Sequence, residues 1–372
     1  LENIPYTIMD AARRASRSGG NGEMSEARDM LVETAGRLFQ DYCTPELLKA
    51  SNEGALSLNL WSALSDAGFT KALVSEQAGG AGVGLPDGLA LLIEAGRFSV
   101  PAPLAETMIA SWLLDRAGFP VPDGALTFAG PAAEQSVTAV REGETYRLTG
   151  KLARVPWADD AVGLVVLASE GDNRVIAYVP REAYRVTASH NLAGEPRDDV
   201  AFMSASVRAD RSDLGAEDWC ALGAIARAAQ MAGAMQRLLA SSVQYAQDRV
   251  QFGRPIGKFQ AVQQSLAALA GQAAAATAAA NGAIEAAAHD LHSPLIAAAK
   301  IRCGEAAGVG AAIAHQVHGA IGFTQEHSLH YSTRRLWSWR DEFGNEAEWS
   351  RRLGARAAQA GADQLWTMIT AA

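Results

Sequence analysis

The chain has 372 residues, enough for two or three domains or for one large multilayer unit. Apolar residues make up 49% and charged residues 20%, a globular mixture, and the net charge of −9 argues against nucleic acid or an anionic membrane surface as a partner. No apolar run is long enough to span a bilayer. Cys43, Cys220 and Cys303 are too widely separated for a disulfide framework or a metal site, and they suit a reducing cytoplasm.

Residues 1–23 read as a leader. Ala11 to Glu23 is rich in Arg, Ser and Gly but has no secretory hydrophobic region, so vector-derived sequence ahead of Met24 is preferred to a targeting peptide. From 24 to 120 the pattern is helical, with Met30-Leu31-Val32, Leu38-Phe39 and Leu47-Leu48 at helical spacing. A short helix from Trp61 ends at Gly68, and another runs from Asp87 to Phe98. The glycine-rich loop between them, Glu76 to Gly84, is not followed by Gly-Lys-Ser/Thr and reads as structural rather than phosphate-binding.

From 121 to 210 the period changes to that of strands. Ser136–Val140, Tyr146–Thr149, Val162–Leu167 and Arg174–Val179 are short β-runs between Gly, Asp and Asn turns, which fits a small β-domain. From 211 to 372 the chain returns to helix. Residues 261–314 are extremely rich in alanine, but Gln, His, Asp, Lys and Arg interrupt them at helical spacing. A buried bundle of the four-helix type, not a membrane hairpin, is predicted. The fold class is therefore α+β and multidomain.

Within that last region lies Arg249-Val250-Gln251-Phe252-Gly253-Arg254-Pro255-Ile256-Gly257-Lys258-Phe259-Gln260. Arg249 offers a fixed fork of donors to a phosphate, and Phe252 offers a face to a planar heterocycle. Gly253 and Gly257 permit sharp turns, and Pro255 stiffens the loop. Taken singly, each residue fits an ordinary helix hairpin. A second segment, Gln316 to Glu326, carries Gly319 and Gly322, which would let backbone N–H groups approach phosphate or ribose oxygens. Alone, those glycines would read as helix caps.

Together and in this order, the two segments resemble those of the acyl-CoA dehydrogenase flavoproteins. The second is similar to that family's Gln-x-x-Gly-Gly-x-Gly signature, with Ala320 replacing the second glycine. The resemblance covers nearly the whole chain after Met24, and it implies the order helical domain, β-domain, helix bundle. It implies FAD as cofactor, an acyl-CoA thioester as substrate and an electron-transfer flavoprotein as acceptor. It also implies that Arg249, Gln251, Phe252, Gln260, Gln316, Gly319 and Gly322 bind the nucleotide of an FAD shared with a neighbouring protomer.

The family's chemistry needs a carboxylate that abstracts the α-proton of the thioester while hydride leaves Cβ for the flavin. Both usual positions for that base lack one here. Counted without gaps from Gln316, the family's Tyr-Glu-Gly-Thr motif falls on Glu342-Phe343-Gly344-Asn345. Phe343 takes the base position and Glu342 comes one residue early, a displacement of about 100° on a helix. The alternative Ala-Ala-Glu-x-x-Gly segment reads Ala228-Ala229-Gln230-Met231-Ala232-Gly233, and Gln230 cannot take a proton at neutral pH. Glu342 is read as a solvated member of the cluster Arg340-Asp341-Glu342 in preference to a displaced base. The catalytic residue stays unassigned.

The flavin-facing part of the β-domain also departs from the pattern. Leu126 to Glu134 lacks the family's Gly-Ser-Asp, and Ala153 to Asp160 stands where a Trp-Ile-Thr-Asn segment is usual. Trp157 is read as a core or strand-end aromatic. A chain that keeps the nucleotide half and loses the flavin half fits one subunit of a heteromer, a heterodimer or α2β2, of the kind that acts on steroid-type acyl-CoA thioesters. Two alternatives stay open: a homodimer or homotetramer with Glu342 as base, and a non-catalytic acyl-CoA-binding or scaffold paralogue.

Overall fold

The computed structural model describes residues 21–51, 55–130 and 136–370. Of the expected leader, residues 1–20 lie outside the described residues, and a helix is under way at Asn21. In chain order the helices are α1 Asn21–Tyr42, α2 Pro45–Ala50, α3 Leu58–Asp66, α4 Leu85–Arg97, α5 Leu104–Arg116 and α6 Ala216–Asp248. They continue as α7 Gln260–Ala286, α8 Pro294–His318, α9 Leu329–Asp341, α10 Glu346–Ala360 and α11 Ala362–Thr370. Between α5 and α6 come β1 Leu126–Ala129, β2 Val137–Glu142, β3 Thr145–Pro156, β4 Gly163–Glu170, β5 Asn173–Pro180, β6 Arg185–Thr187, β7 Arg197–Val207 and β8 Ala209–Arg211. The order helix, sheet, helix is the one predicted from the change of hydrophobic period.

The chain forms two compact units. Unit one holds residues up to 34, 49–88 and 101–220; unit two holds 35–48, 89–100 and 221 onward. In unit one the sheet runs β6-β7-β3-β2-β4-β5-β8, with β1 joined to β4. Strand β4 pairs in parallel with β1 and β2, and the remaining pairs are antiparallel. The first six residues of β4 are all buried, as expected of a strand flanked on both edges and covered on both faces. Strand β3 runs on to Pro156, well past the predicted Thr149, because β7 pairs along it with register shifts at Leu148/Thr149 and Leu152/Val155. Leu148, Leu152, Val200 and Phe202 from this pair belong to the sheet's core.

The loop Glu76 to Gly84 is anchored at its entry. Asp115 accepts hydrogen bonds from the backbone N–H and the hydroxyl of Ser75, at 2.8 and 3.0 Å, and so fixes the loop's entry.

Unit two is built on helix contacts between small residues. Helices α7 and α8 pack on each other, with Ala273, Ala276, Ala280 and Ala283 of α7 and Ala299, Ala306, Ala307 and Ala314 of α8 all buried. Large side chains at these positions would push the axes apart. Helices α4 and α6 meet backbone to backbone: a methyl on Gly96 would lie 1.9 Å from the Gln230 carbonyl oxygen, and one on Gly233 would lie 1.8 Å from that of Ile93. Gln230 thus sits at a closed helix crossing. Among the described residues, no helix is long and apolar enough to cross a membrane.

Candidate active-site and cofactor-binding residues

Helix α9 ends at Asp341, and the turn that follows carries the residues in register with the family's base. Glu342 is not solvated, contrary to the sequence reading. Its carboxylate accepts a hydrogen bond from Arg227 Nε at 2.6 Å, and both side chains are buried, at 2% and 8% exposure. The same guanidinium donates from Nη1 to Gln230 Oε1 at 2.6 Å. Arg227 is the single charge between Ala221 and Met235, and burying it in an apolar helix requires a counter-charge. Glu342 meets that requirement. If it took a proton, the guanidinium would lose its buried counter-charge, so this carboxylate is poorly suited to act as a base.

The turn itself is braced. Phe343 adopts φ +55°, an uncommon conformation for a bulky residue. Its ring lies over Gly223, where a Cβ would come within 2.2 Å of it, and 5.7 Å from the Arg227 guanidinium. Trp349 Nε1 donates to the Phe343 carbonyl at 2.9 Å. Lys300, fully buried on α8, donates to the carbonyls of Arg340 and Gly344, each at 2.6 Å. Burial pulls its ammonium down to about 8, against the opposing pull of Glu346 and Glu342. Asn345 then caps α10 in a reciprocal capping box with Glu348.

The nucleotide-binding candidates are arranged quite differently. Arg249 follows directly on α6 and bonds back through its N–H to the Tyr245 carbonyl at 2.9 Å. Val250–Gln251 pairs with Arg254–Pro255 as a hairpin, which leaves a two-residue turn of Phe252 and Gly253. Their φ angles are +51° and +76°, the signs that a type I′ hairpin turn needs at both positions. Phe252 is therefore held in the left-handed region; the residue is 92% exposed, with its ring edge-on to Phe259 at 6.1 Å between centroids. Gly257 has a different role from the turn predicted: its φ is not positive, and a Cβ there would come within 3.1 Å of the Ala246 carbonyl. Gln260 opens α7.

Gln316 is exposed on the last turn of α8, and Gly319 ends that helix at φ +65° with open space around its Cα. Gly322 is buried, and a Cβ there would crowd His318 and Leu329. Among the described residues, no hydrogen bond or ion pair engages the side chains of Arg249, Gln251, Gln260 or Gln316, and all four are exposed. One cation, three amides, an exposed aromatic face and an open glycine form a donor set that fits the phosphates, ribose and adenine of a dinucleotide.

In unit one, the segment in register with the flavin-facing part of the family keeps one exposed cation, Arg154, while its aromatic residue is turned inward. Pro156 ends β3 without a donor, and Trp157 is 3% exposed, which makes it the core aromatic the sequence suggested. Trp219 packs its ring on Phe128, with centroids 6.1 Å apart, and its side chain covers Gly130 at 3.3 Å from a Cβ position. Residues 131–134 of the segment expected to hold Gly-Ser-Asp lie outside the described residues.

The order helical domain, β-sheet, helix bundle is that of a flavoprotein dehydrogenase, and the matches to known proteins agree. The N-terminal domain of acyl-CoA dehydrogenases matches residues 25–120, and their C-terminal domain matches 220–357. Acyl-CoA dehydrogenase IpdE2 of Mycobacterium tuberculosis is 31% identical over 320 residues, covering 83% of this chain and 91% of that protein. The chain belongs to the acyl-CoA dehydrogenase family and is an FAD-dependent oxidoreductase. Among solved structures, the ChsE4-ChsE5 complex from M. tuberculosis superposes with a TM-score of 0.85 at 26% identity, covering 91% of this chain and 98% of that one. A Tcur3481-Tcur3483 steroid ACAD superposes with a TM-score of 0.82 at 25% identity, covering 91% and 99%.

Sequence reasoning missed Arg227 and Lys300. For Arg227 the signal was a lone cation in the apolar run 221–235, which must find a buried partner; Lys300, with Arg302 and Glu305 close by on its helix, carried no such signal. It also missed the rings of Tyr245, His318 and His327, which lie behind the nucleotide loops and carry no motif of their own.

Proposed function

We propose that this chain is one subunit of a heteromeric FAD-dependent acyl-CoA dehydrogenase of the cytoplasm, that it binds the nucleotide half of a shared FAD, and that it provides no catalytic base. The observation that carries this reading is the contrast between two arginines of α6 and its end. Arg227 is buried and spent on Glu342, whereas Arg249 is exposed with no partner among the described residues. FAD accepts the substrate hydride when bound. Arg249 would hold its pyrophosphate, Gln251, Gln260, Gln316 and the backbone of Gly319 and Gly322 its polar edges, and Phe252 a planar ring. An unlike subunit would hold the flavin ring and present the carboxylate.

The relatives support the assembly and the substrate class. Of the structural neighbours, ChsE4-ChsE5 is a complex and Tcur3481-Tcur3483 is a steroid ACAD. Bulky steroid-type acyl-CoA thioesters are the proposed substrates, and an electron-transfer flavoprotein is the proposed electron acceptor. The test is flavin content. Purified alone, the chain should carry little FAD; isolated with its natural partner through a tag on this chain, it should carry one FAD per unlike pair. Arg249→Ala should weaken retention at least tenfold, since a lost charge-assisted phosphate contact costs on the order of 2–4 kcal/mol. Full flavin occupancy of the isolated chain, with turnover, would replace this reading with the homomeric one.

A further inference from the structure

Behind the two nucleotide-binding segments, three rings meet. Tyr245 lies on the last turn of α6, four residues before Arg249 and bonded to it through the backbone. His318 is the last residue of α8, immediately before Gly319. Their rings stack with centroids 4.5 Å apart and planes 25° apart. His327 closes the group edge-on, 4.7 Å from His318 and 6.1 Å from Tyr245.

We infer that Tyr245 and His318 are positioning residues for FAD, a ring clasp that fixes the arginine loop against the glycine segment. The inference rests on the nucleotide-half reading above. Helix α6 continues into the Val250–Pro255 hairpin and α8 into the short helical turn Gly319–Phe323, and the stacked ring pair joins the two helix ends directly behind these segments. A donor pair must be held to within a fraction of an ångström to engage one ligand, and a rigid stack of two rings with few rotatable bonds does this at low entropic cost.

The chemistry of the clasp is specific to neutral rings. His318 Nδ1 lies 2.8 Å from the Ala314 carbonyl, so Nδ1 carries the proton. Its Nε2 is buried and has no hydrogen-bond partner among the described residues, and the residue is 3% exposed. His327 Nδ1 accepts from the Leu329 N–H at 3.1 Å. The titratable groups beside the clasp are Tyr245 from α6, His315 from α8, His327 from the following segment and His330 from α9, and His315 and His327 oppose a positive charge on His318. Burial, first, and those two histidines hold His318 below its ordinary range. A proton added at Nε2 would place a buried cation against two other rings, and the clasp would open as pH falls.

The experiment uses the FAD-loaded holoenzyme isolated through a tag on this chain, with flavin retained after gel filtration read by absorbance. Wild type should hold FAD at pH 7.5 and lose most of it at pH 5.5. Tyr245→Phe should retain it, and Tyr245→Leu should weaken retention about tenfold. His318→Phe, which keeps a ring without a proton site, should retain FAD at pH 7.5 and lose the pH dependence. Flavin loss on acidification that is the same in His318→Phe as in wild type overturns the inference, whatever Tyr245→Leu does to folding. So does full retention in Tyr245→Leu. Arg249→Ala is the reference: if it keeps FAD, the nucleotide-half reading fails; if it alone loses FAD, only the clasp fails.

Discussion

Arg227 and Glu342, 115 residues apart in sequence, meet as a buried ion pair at 2.6 Å beneath the turn where this family's base would stand. The residues around the pair hold it in place: Gln230 takes a second guanidinium N–H, the Phe343 ring lies beside it, and Lys300 and Trp349 fasten the turn from the other side. The carboxylate that stands one residue before the expected base position is thus held in a buried ion pair, as an anchor of the fold would be.

That role predicts a double-mutant cycle. Arg227→Met or Glu342→Gln alone leaves one partner of a buried pair uncompensated and should cost about 3–5 kcal/mol in urea unfolding. The double variant removes both and should cost much less than the sum. Additive losses would mean that the two side chains act independently.

Lys300 makes a second case. Replacing it with Met leaves the buried carbonyls of Arg340 and Gly344 without their donor and should cost about 2–3 kcal/mol. Its titration adds a sign. The folded value of about 8 lies below the ordinary 10.5, so between these values the unfolded chain binds more protons, and stability from this group rises with pH. The stability gap between wild type and Lys300→Met should therefore widen from pH 7.5 to 9.5 in paired urea titrations. A gap that narrows over that range contradicts the assignment.

The hairpin tip trades stability for binding. Phe252 sits at φ +51° with its ring in solvent, which costs on the order of 1 kcal/mol relative to glycine. Phe252→Gly should raise the melting temperature of the flavin-free chain by a few degrees and lower FAD retention in the holoenzyme. If both fall, the phenylalanine is packed rather than presented.

Four histidines should make the stability of unit two fall in acid. Burial holds His315, His318, His327 and His330 below the ordinary 6.5. Their contribution is present above 6.5 and is lost as pH falls through the folded values, because the unfolded chain then binds more protons. The melting temperature should drop between pH 7 and pH 5, and His318→Phe should flatten part of that drop.

The sequence disclosed the order of helix, strand and helix because each change of hydrophobic period is local. It disclosed strands β2 to β5 through their apolar runs but not β7, whose Arg197-Asp198-Asp199 start and interrupted alternation look like a loop until β3 pairs with it. The loop residues Arg249 to Gln260 were legible because an exposed site is written as a contiguous motif. The environment of Glu342 was not. Its neighbour Asp341 is exposed and its partner lies over a hundred residues away, so a charge cluster in sequence hid a buried ion pair in space. The ring clasp was illegible for the same reason: Tyr245, His318 and His327 are joined only by tertiary contact.

The central claim, that Glu342 anchors the fold and another subunit provides the base, is tested most directly by turnover per bound flavin in the holoenzyme carrying Arg227→Met and Glu342→Gln together. Turnover within about threefold of wild type is expected, because a misplaced or absent carboxylate contributes little when the reacting carboxylate stands elsewhere. A fall of a hundredfold or more at unchanged flavin occupancy would make Glu342 the base and contradict it.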